Sequence, residues 1–475
     1  MSLQRKSAYL VWLIIALAGA AFFLAWQYRD YRLTGRTLPP DVSMAGLPVG
    51  GETRDRALNA LEVAFATPLT VTYDHETLSL CPSLVDLRYD ANRTAANLDA
   101  ALTEWRGLEG FIAHILGDDP PPLTVPVAVS YSEEGLSRYL DRIVAQYDGP
   151  PQEPVILPAV LDFRPPRPGY QLDVEASRNR LVSALVSAGT RQVDLAVHVE
   201  ESPQEDIGLL EQLLEQRLED HPGLIPGIFV KNLQTGAELG INAEVAYAGL
   251  SVLKIAVLEE TYRSLDEAPD LATTRLISET MTESDNATAN LLLRDVIDAG
   301  DAYRATERLT ASMSRLGLTS TYMGAPYDEK DVGRELVTEA NSRTDIFTEP
   351  DPYIQTTPLE VGLLLEMIYQ CSQGGGALIL NYPDSVTPEE CREMIRWMTR
   401  NPVEDLIQAG VPAGTRVAHK HGWTSDTHAD AGIVFTPGGD YVLVIFLHRS
   451  DWLEWDEGAP LIGDISTATY NYFNW

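Results

Sequence analysis

The run from Ala8 to Trp26, nineteen residues without a charge, constrains this chain more than any other feature. A helix of about 20 apolar residues crosses the hydrocarbon core of a bilayer. The run therefore predicts one membrane helix, with the lipid bilayer as partner through residues 8–26, and leaves the rest of the chain to fold in water. Arg5 and Lys6 precede it and Arg29, Arg32 and Arg36 follow it, so basic flanks alone do not orient it. The short basic N-terminus fits a signal-anchor with the body exported. Ala18, Gly19, Ala20 and Ala21 keep a cleaved signal peptide as the alternative. The expectation is a single-pass protein of the cell membrane whose body is extracytoplasmic.

The charge and the cysteines agree with that compartment. A formal net charge of −34 excludes nucleic acid as a partner, because phosphate binding needs clustered Lys and Arg. An exported protein can keep a disulfide. Cys371 and Cys391 flank the turn Gly374-Gly375-Gly376, which predicts a bridge between them and leaves Cys81 alone. Two buried thiols are the other reading. No cysteine has the His spacing of a metal site, and His419 and His421, two apart on a strand, lack a third ligand. Neither metal nor cofactor is expected.

Four segments are predicted: 1–32 as cytoplasmic stub and anchor, 33–122 and 123–202 as two small α+β modules, and 203–475 as the main domain. In the first module a helix follows Thr53, with Ala57, Leu58, Leu61 and Val63 apolar, and Pro68 to Leu80 alternates like a hairpin around Asp74-His75. In the second, Glu134 to Tyr147 reads as a helix. A weak repeat aligns Asp90, Leu98, Ala101 and Leu102 with Asp173, Leu181, Ala184 and Leu185. Each copy is a strand end, an Asp and a helix. The main domain opens on Ser202-Pro203-Gln204-Glu205, a capping box with Pro in the first helical position. Two strands follow, then helical sequence to about Asp298, a long loop, helices from Thr357-Pro358 and from Pro388, three strands including Ala431–Thr436, and a last helix; His428 falls in a loop. Strands, helices, strands and a helix suit an antiparallel sheet covered by helices.

Three short motifs in that domain carry chemistry. Ser251-Val252-Leu253-Lys254 sets a hydroxyl and an amine one helical turn apart. Serine is a poor nucleophile until a base takes its proton. Lysine serves as that base only when partly neutral, and burial among Leu250, Val252, Leu253 and Ile255 lowers its pKa. Ser284-Asp285-Asn286 and Lys420-His421-Gly422 complete the set.

That set in that order is a recorded signature of class A β-lactamases and penicillin-binding proteins, and residues 203–475 resemble this family of serine enzymes. The stretch Thr280 to Leu293 and the run Ala409-Gly410-Val411-Pro412-Ala413-Gly414 are similar to family sequence as well. The resemblance implies a β-lactamase-like α+β fold and assigns roles. Ser251 is the nucleophile and Lys254 its proton acceptor. Ser284 relays a proton to the leaving nitrogen, Asn286 holds substrate and Lys254, and Lys420 attracts the substrate carboxylate. The backbone N–H groups of Ser251 and Trp423 form an oxyanion hole beside Gly422. His421 departs from the pattern by standing where the family has Thr or Ser. It can donate instead, with a charge expected to vary near neutral pH. The stretch between Ser251 and Ser284 is shorter than in the family. The deacylating Glu-Pro-x-x-Asn is not evident: Glu349-Pro350 lies too near Thr356, and Glu339, followed by Asn341, is the candidate base. Residues 38–200 resemble peptidoglycan-binding domains that stand between membrane anchors and wall enzymes, on the Gly46 to Gly51 run and the repeat. The same features also fit a spacer.

The expected function is an anchored, exported serine hydrolase that forms an acyl-enzyme on Ser251 with a β-lactam or related amide. One alternative is a penicillin-binding D-Ala peptidase acting on peptidoglycan peptides. Another is a wall-binding protein without turnover. Partners expected besides the bilayer are the β-lactam or wall-peptide substrate and peptidoglycan.

Overall fold

The computed structural model describes residues 3–33, 37–116, 122–203, 206–329 and 332–475. It holds two compact units: Met1–Gln152 with Arg167–Pro203, and Glu153–Pro166 with Gln204–Trp475.

The first unit begins with the helix Leu3–Leu33. Within it Trp12–Tyr31, of mean hydropathy 1.3, is long and apolar enough to cross a membrane by length and composition. Beyond it, Thr53 caps the helix Arg54–Ala66, which buries Ala57, Leu61 and Phe65. Val63, expected on the apolar face, is exposed; the i, i+4, i+8 row from Ala57 to Phe65 is the buried one. Leu69–Tyr73 and Glu76–Leu80 form the hairpin, turning through Asp74 at φ +51°. Leu69–Tyr73 also pairs in parallel with Gln192–Asp194, and Val42–Met44 with Leu123–Val125. Strands from either side of residue 122 therefore share sheets. The repeat has a geometric counterpart. Asp90 and Asp173 both cap helices, accepting from the N–H groups of Arg93 and Ala176. Four residues on, Thr94 and Ser177 are both buried and accept from the N–H groups of Ala128 and Ala196.

In the second unit, part of the expected capping box, Gln204 and Glu205, lies outside the described residues. The helix starts later, at Gly208, with no side-chain cap, and buries Leu210, Leu213 and Leu214. The sheet is antiparallel and five-stranded, in the order Glu238–Ile241, Ile225–Asn232, Tyr441–His448, Thr427–Phe435, Arg416–Trp423. His428 lies inside a strand rather than in a loop. Its alternating partners decide this: Ala429 and Ala431 on one side of the strand are buried as fully as its own side. Side chains of the central strand divide by parity. Val442, Val444 and Phe446 face the core that holds the Ser251 helix; Leu443, Ile445 and Leu447 face the core of the last helix, Trp455–Phe473. The fold is thus α+β, a helix-covered antiparallel sheet as the resemblance implies.

Two features of this unit were not expected. The stretch after Asp298 is not all loop: Asp301 caps a helix over Ala302–Arg315 through the N–H groups of Tyr303 and Arg304, and Ala305, Leu309 and Met313 are buried along one face. And the hairpin Val155–Leu157 with Asp162–Arg164 belongs to this unit. Its Phe163 ring packs 5.6 Å from Tyr472 and 5.2 Å from Trp475, and the Leu161 carbonyl accepts from Asn471 at 2.8 Å. Cys371 is bonded to Cys391, with Cα atoms 5.9 Å apart, and Cys81 is free and exposed.

Candidate active site

The Ser251 turn is held from outside its own helix. Tyr247–Ala248 pairs with Ile354–Thr356, and the Gly249 N–H donates to the Ile354 carbonyl at 2.8 Å. Leu250 then takes φ +49°, a left-handed conformation that a branched side chain adopts only when its surroundings impose it. The Tyr327 hydroxyl donates to the Leu250 carbonyl at 3.0 Å, which fixes that turn. A short 3-10 turn, Leu250–Leu253, runs into the helix Lys254–Arg263, so Ser251 and Lys254 stay on one side.

Lys254 is the hub. Its Nζ donates to Ser251 Oγ at 3.0 Å, to Asn286 Oδ1 at 2.6 Å, to the Ser284 carbonyl, and to Ser284 Oγ at 3.3 Å. Four acceptors exceed the three protons of an ammonium. A neutral amine can give two protons to the Asn286 and Ser284 carbonyl oxygens and turn its lone pair to Ser251. Burial favours that form and lowers the Lys254 pKa to about 8, against the pull of Asp285 and Asp328. The ring of Tyr327 lies 4.8 Å below the amine.

The Ser-Asp-Asn loop owes its shape to its three residue types. Ser284 takes the left-handed conformation at φ 58° that ends the preceding helical turn. Asp285 caps the next helix by accepting from the Thr288 N–H at 2.7 Å. Asn286, in the first turn, sends its amide to Asp328 at 2.9 Å and its carbonyl to Lys254. Asn290 clamps Tyr327, donating to its carbonyl at 2.8 Å and accepting from its N–H at 2.9 Å.

Lys420 reaches the cluster from the edge strand Arg416–Trp423, donating to Ser284 Oγ at 2.8 Å and to the His421 carbonyl at 3.0 Å. Burial, and then the charge of Lys254, lower its pKa to about 7. Gly422 lets the strand come this close: a Cβ there would stand 2.7 Å from the Ser251 backbone nitrogen and 2.8 Å from Leu250 Cβ. The next residue, Trp423, is half exposed and stacks on His421.

His421 behaves differently from expectation. Burial, with Lys420 beside it, pushes its pKa down to about 3, so the ring stays neutral across the neutral range. Its tautomer is set by Asn401. That side chain accepts from the Val403 N–H and donates to the His419 carbonyl, so its amide must also be the donor to His421 Nδ1 at 2.9 Å. The proton of His421 is then on Nε2. His419 pairs with the fully buried Asp430 at 2.8 Å and is not a ligand in waiting. Burial opposes the charge of Asp430, but His419 outweighs it and holds the carboxyl below its usual range.

Glu339 is not brought to this cluster. It is exposed and lines a separate cavity with Glu244, Arg343 and Glu360. Asn341 is spent on its own loop, donating to the Leu336 carbonyl at 2.8 Å and to Gln355 at 2.9 Å. Glu349 is also exposed. Tyr327, Asp328, Asn290 and Asn401 escaped the sequence reading. Only Asn290 stood in a stretch that already drew notice; the others have no marker in a single sequence.

The model of the beta-lactamase enzyme family matches residues 268–473, a span that includes Ser284, Asn286 and Lys420 but begins after Ser251 and Lys254. No curated protein matches the chain. Among solved structures, a mutant of PBP-A described as an acyl-enzyme complex with penicillin G is 22% identical, covers 57% of this chain and 98% of its own, and has a TM-score of 0.44. PBP-A itself is 21% identical over 57% of this chain and 98% of its own, with a TM-score of 0.45. A β-lactamase from Sphaerobacter thermophilus DSM 20745 is 18% identical over 57% of this chain and 98% of its own, with a TM-score of 0.43.

Proposed function

We propose that this chain, whose residues 268–473 carry a β-lactamase-family domain, is a membrane-anchored, exported serine acyl-transfer enzyme that opens β-lactams or related amides on Ser251. One observation carries the reading: a buried lysine whose amine lies 3.0 Å from a serine hydroxyl, with its remaining protons taken by Asn286 and Ser284. Lys254 takes the proton of Ser251 as Oγ attacks the amide carbon. The N–H groups of Ser251 and Trp423 receive the developing oxyanion. Ser284, bridged to Lys420, returns a proton to the departing nitrogen, and Lys420 draws the substrate carboxylate. His421 contributes a neutral N–H where the family has a hydroxyl. The N-terminal apolar helix supports anchoring, and the first unit would hold the enzyme near the wall, as a peptidoglycan-binding module or as a spacer.

The exposure of Glu339 and Glu349 favours penicillin-binding behaviour over rapid release. Water needs a base within hydrogen-bond reach to free the acyl group. Intact-mass spectrometry of the protein with penicillin G should therefore find an adduct that forms and persists, and none on Ser251→Ala. Labelling of Ser251→Ala would move the nucleophile elsewhere. An adduct that clears within seconds would make this a β-lactamase with a base other than these two carboxylates.

A further inference from the structure

A cavity of about 970 Å³ opens beside the Lys420 strand. Its walls are aromatic: Trp423, Trp452 and Trp455 line it, together with His428. The rings are continuous with the site. His421 stacks on Trp423 at 5.2 Å, Trp423 meets Trp455 edge-on at 5.2 Å, and Trp455 packs 5.1 Å from His428. Gly422, whose backbone lies against Ser251, is the residue before Trp423. A substrate arm that runs along the strand past the oxyanion position therefore enters this cavity.

Its charge is one-signed. Glu404, Asp405 and Glu454 stand at the mouth, exposed and without a cationic partner among the described residues, and no Lys or Arg lines the walls. His428 adds no positive charge, since it is buried and its pKa lies below the usual value. Its Nδ1 has no hydrogen-bond partner among the described residues and faces Gly458. A purely apolar groove gains nothing from three unneutralised carboxylates. Tryptophan faces and carboxylates together attract an organic cation, through the ring quadrupole and through Coulomb's law. We infer that this cavity is a substrate subsite for a cationic arm, an ammonium or pyridinium group, on the amide that acylates Ser251. The inference rests on the function proposed above. It places a selectivity device next to the chemistry, on the side reached past Trp423.

Two matched pairs of probes test it, one for each arm of a β-lactam. Ampicillin differs from penicillin G by an ammonium on the acyl arm. Cephaloridine differs from cephalothin by a pyridinium on the leaving-group arm. In acylation of the full chain, the cationic member of at least one pair should react about fivefold faster than its neutral partner, the size expected of one favourable cation–π contact. The triple variant E404Q/D405N/E454Q should bring that ratio close to one. A ratio near one in both pairs for the wild type, or a ratio the triple variant leaves unchanged, overturns the subsite. Tryptophan fluorescence titration of Ser251→Ala with the same four compounds separates the two readings. If nothing acylates the wild type, the proposed function falls, and the binding ratio alone decides the subsite: a cationic preference upholds it, equal or neutral-favouring binding overturns it.

Discussion

At the scale of single residues, the site is a problem of where a proton sits. Lys254 and Lys420 converge on Ser284 Oγ, and each charge makes the other harder to keep. With pKa values lowered to about 8 and about 7, the pair holds close to one charge near neutrality. The proposed mechanism uses the arrangement with Lys254 neutral as base and Lys420 charged for the substrate carboxylate, which the lower pKa of Lys420 makes the minor of the two singly charged forms. Acylation by an anionic β-lactam should therefore rise as pH approaches that range and fall when the second proton leaves. A pH profile of acylation that is flat from pH 5 to 9 would remove Lys254 as the base. A second buried group titrates in the same range without touching the cluster. Both carboxyl oxygens of Glu259 are buried without a hydrogen-bond partner among the described residues, and burial, helped by Glu260, pushes the pKa up to about 8. The folded state then holds a proton that the unfolded chain releases near 4.5. Its contribution to stability is present below 4.5 and is lost as pH rises towards 8, with a slope of up to about 1.4 kcal/mol per pH unit. Glu259→Gln should melt increasingly above wild type as pH goes from 5 to 8. A constant gap would mean an ordinary carboxyl. Residue type and spacing made Ser251 and Lys254 legible as a hydroxyl and an amine one turn apart, while Ser284, Asn286 and Lys420 were legible only through the family resemblance of their motifs. Tyr327 was not legible: its hydroxyl bonds to Leu250 across 77 residues, and nothing local marks such a partner.

At the scale of elements, the decisive contact is between an edge strand and a strained turn. The sheet brings Gly422 against Ser251, and the missing side chain is the reason the two backbones can come this close, as the proposed oxyanion site requires. Gly422→Ala would have to move the strand from the turn, and with it Lys420 and the Trp423 N–H. Displacement of about 1 Å at a reacting centre costs on the order of 10²-fold. Acylation should fall by that order, and the protein should also lose about 1–3 kcal/mol of stability, because the new Cβ meets backbone that cannot swing aside. Loss of less than threefold would show that Gly422 does not set this approach. Long amphipathic elements were readable from pattern and caps, as at Pro388–Met398, where Thr387 and Glu390 form a capping box. The helix Ala302–Arg315 was missed although its Asp301 cap and the Ala305, Leu309, Met313 spacing are local signals. Its many charged residues on the solvent side hid a narrow apolar stripe. Of the capping box at Ser202, Gln204 and Glu205 lie outside the described residues; the described helix starts at Gly208, and its packing begins with Leu210.

At the scale of the whole molecule, the second unit draws on chain that the sequence assigns to a module over 123–202. The segment Glu153–Pro166 groups with Gln204–Trp475, and no hydrophobic period announces it, since the hairpin is short and rich in proline. Its one buried anchor is a ring, with Ile156 and Leu161 packed beside it. Phe163 is 4% exposed and shares a core with Leu210, Leu214, Ile462 and Tyr472. The last helix therefore has a face that residues 204–475 alone would leave uncovered around Tyr472 and Trp475. Phe163→Ala should remove about 3 kcal/mol, the cost of emptying a buried aromatic site. For a unit of this size that lowers the melting temperature by roughly 5–10 °C. Acylation of the folded variant should stay within a few-fold of wild type, because the ring packs in the core of the last helix and Ser251 in the core across the sheet. Thermal unfolding and penicillin labelling of the same sample give both readings. A melting point unchanged by Phe163→Ala would mean that the hairpin only rests on the unit, and residues 204–475 would then be expected to fold unaided.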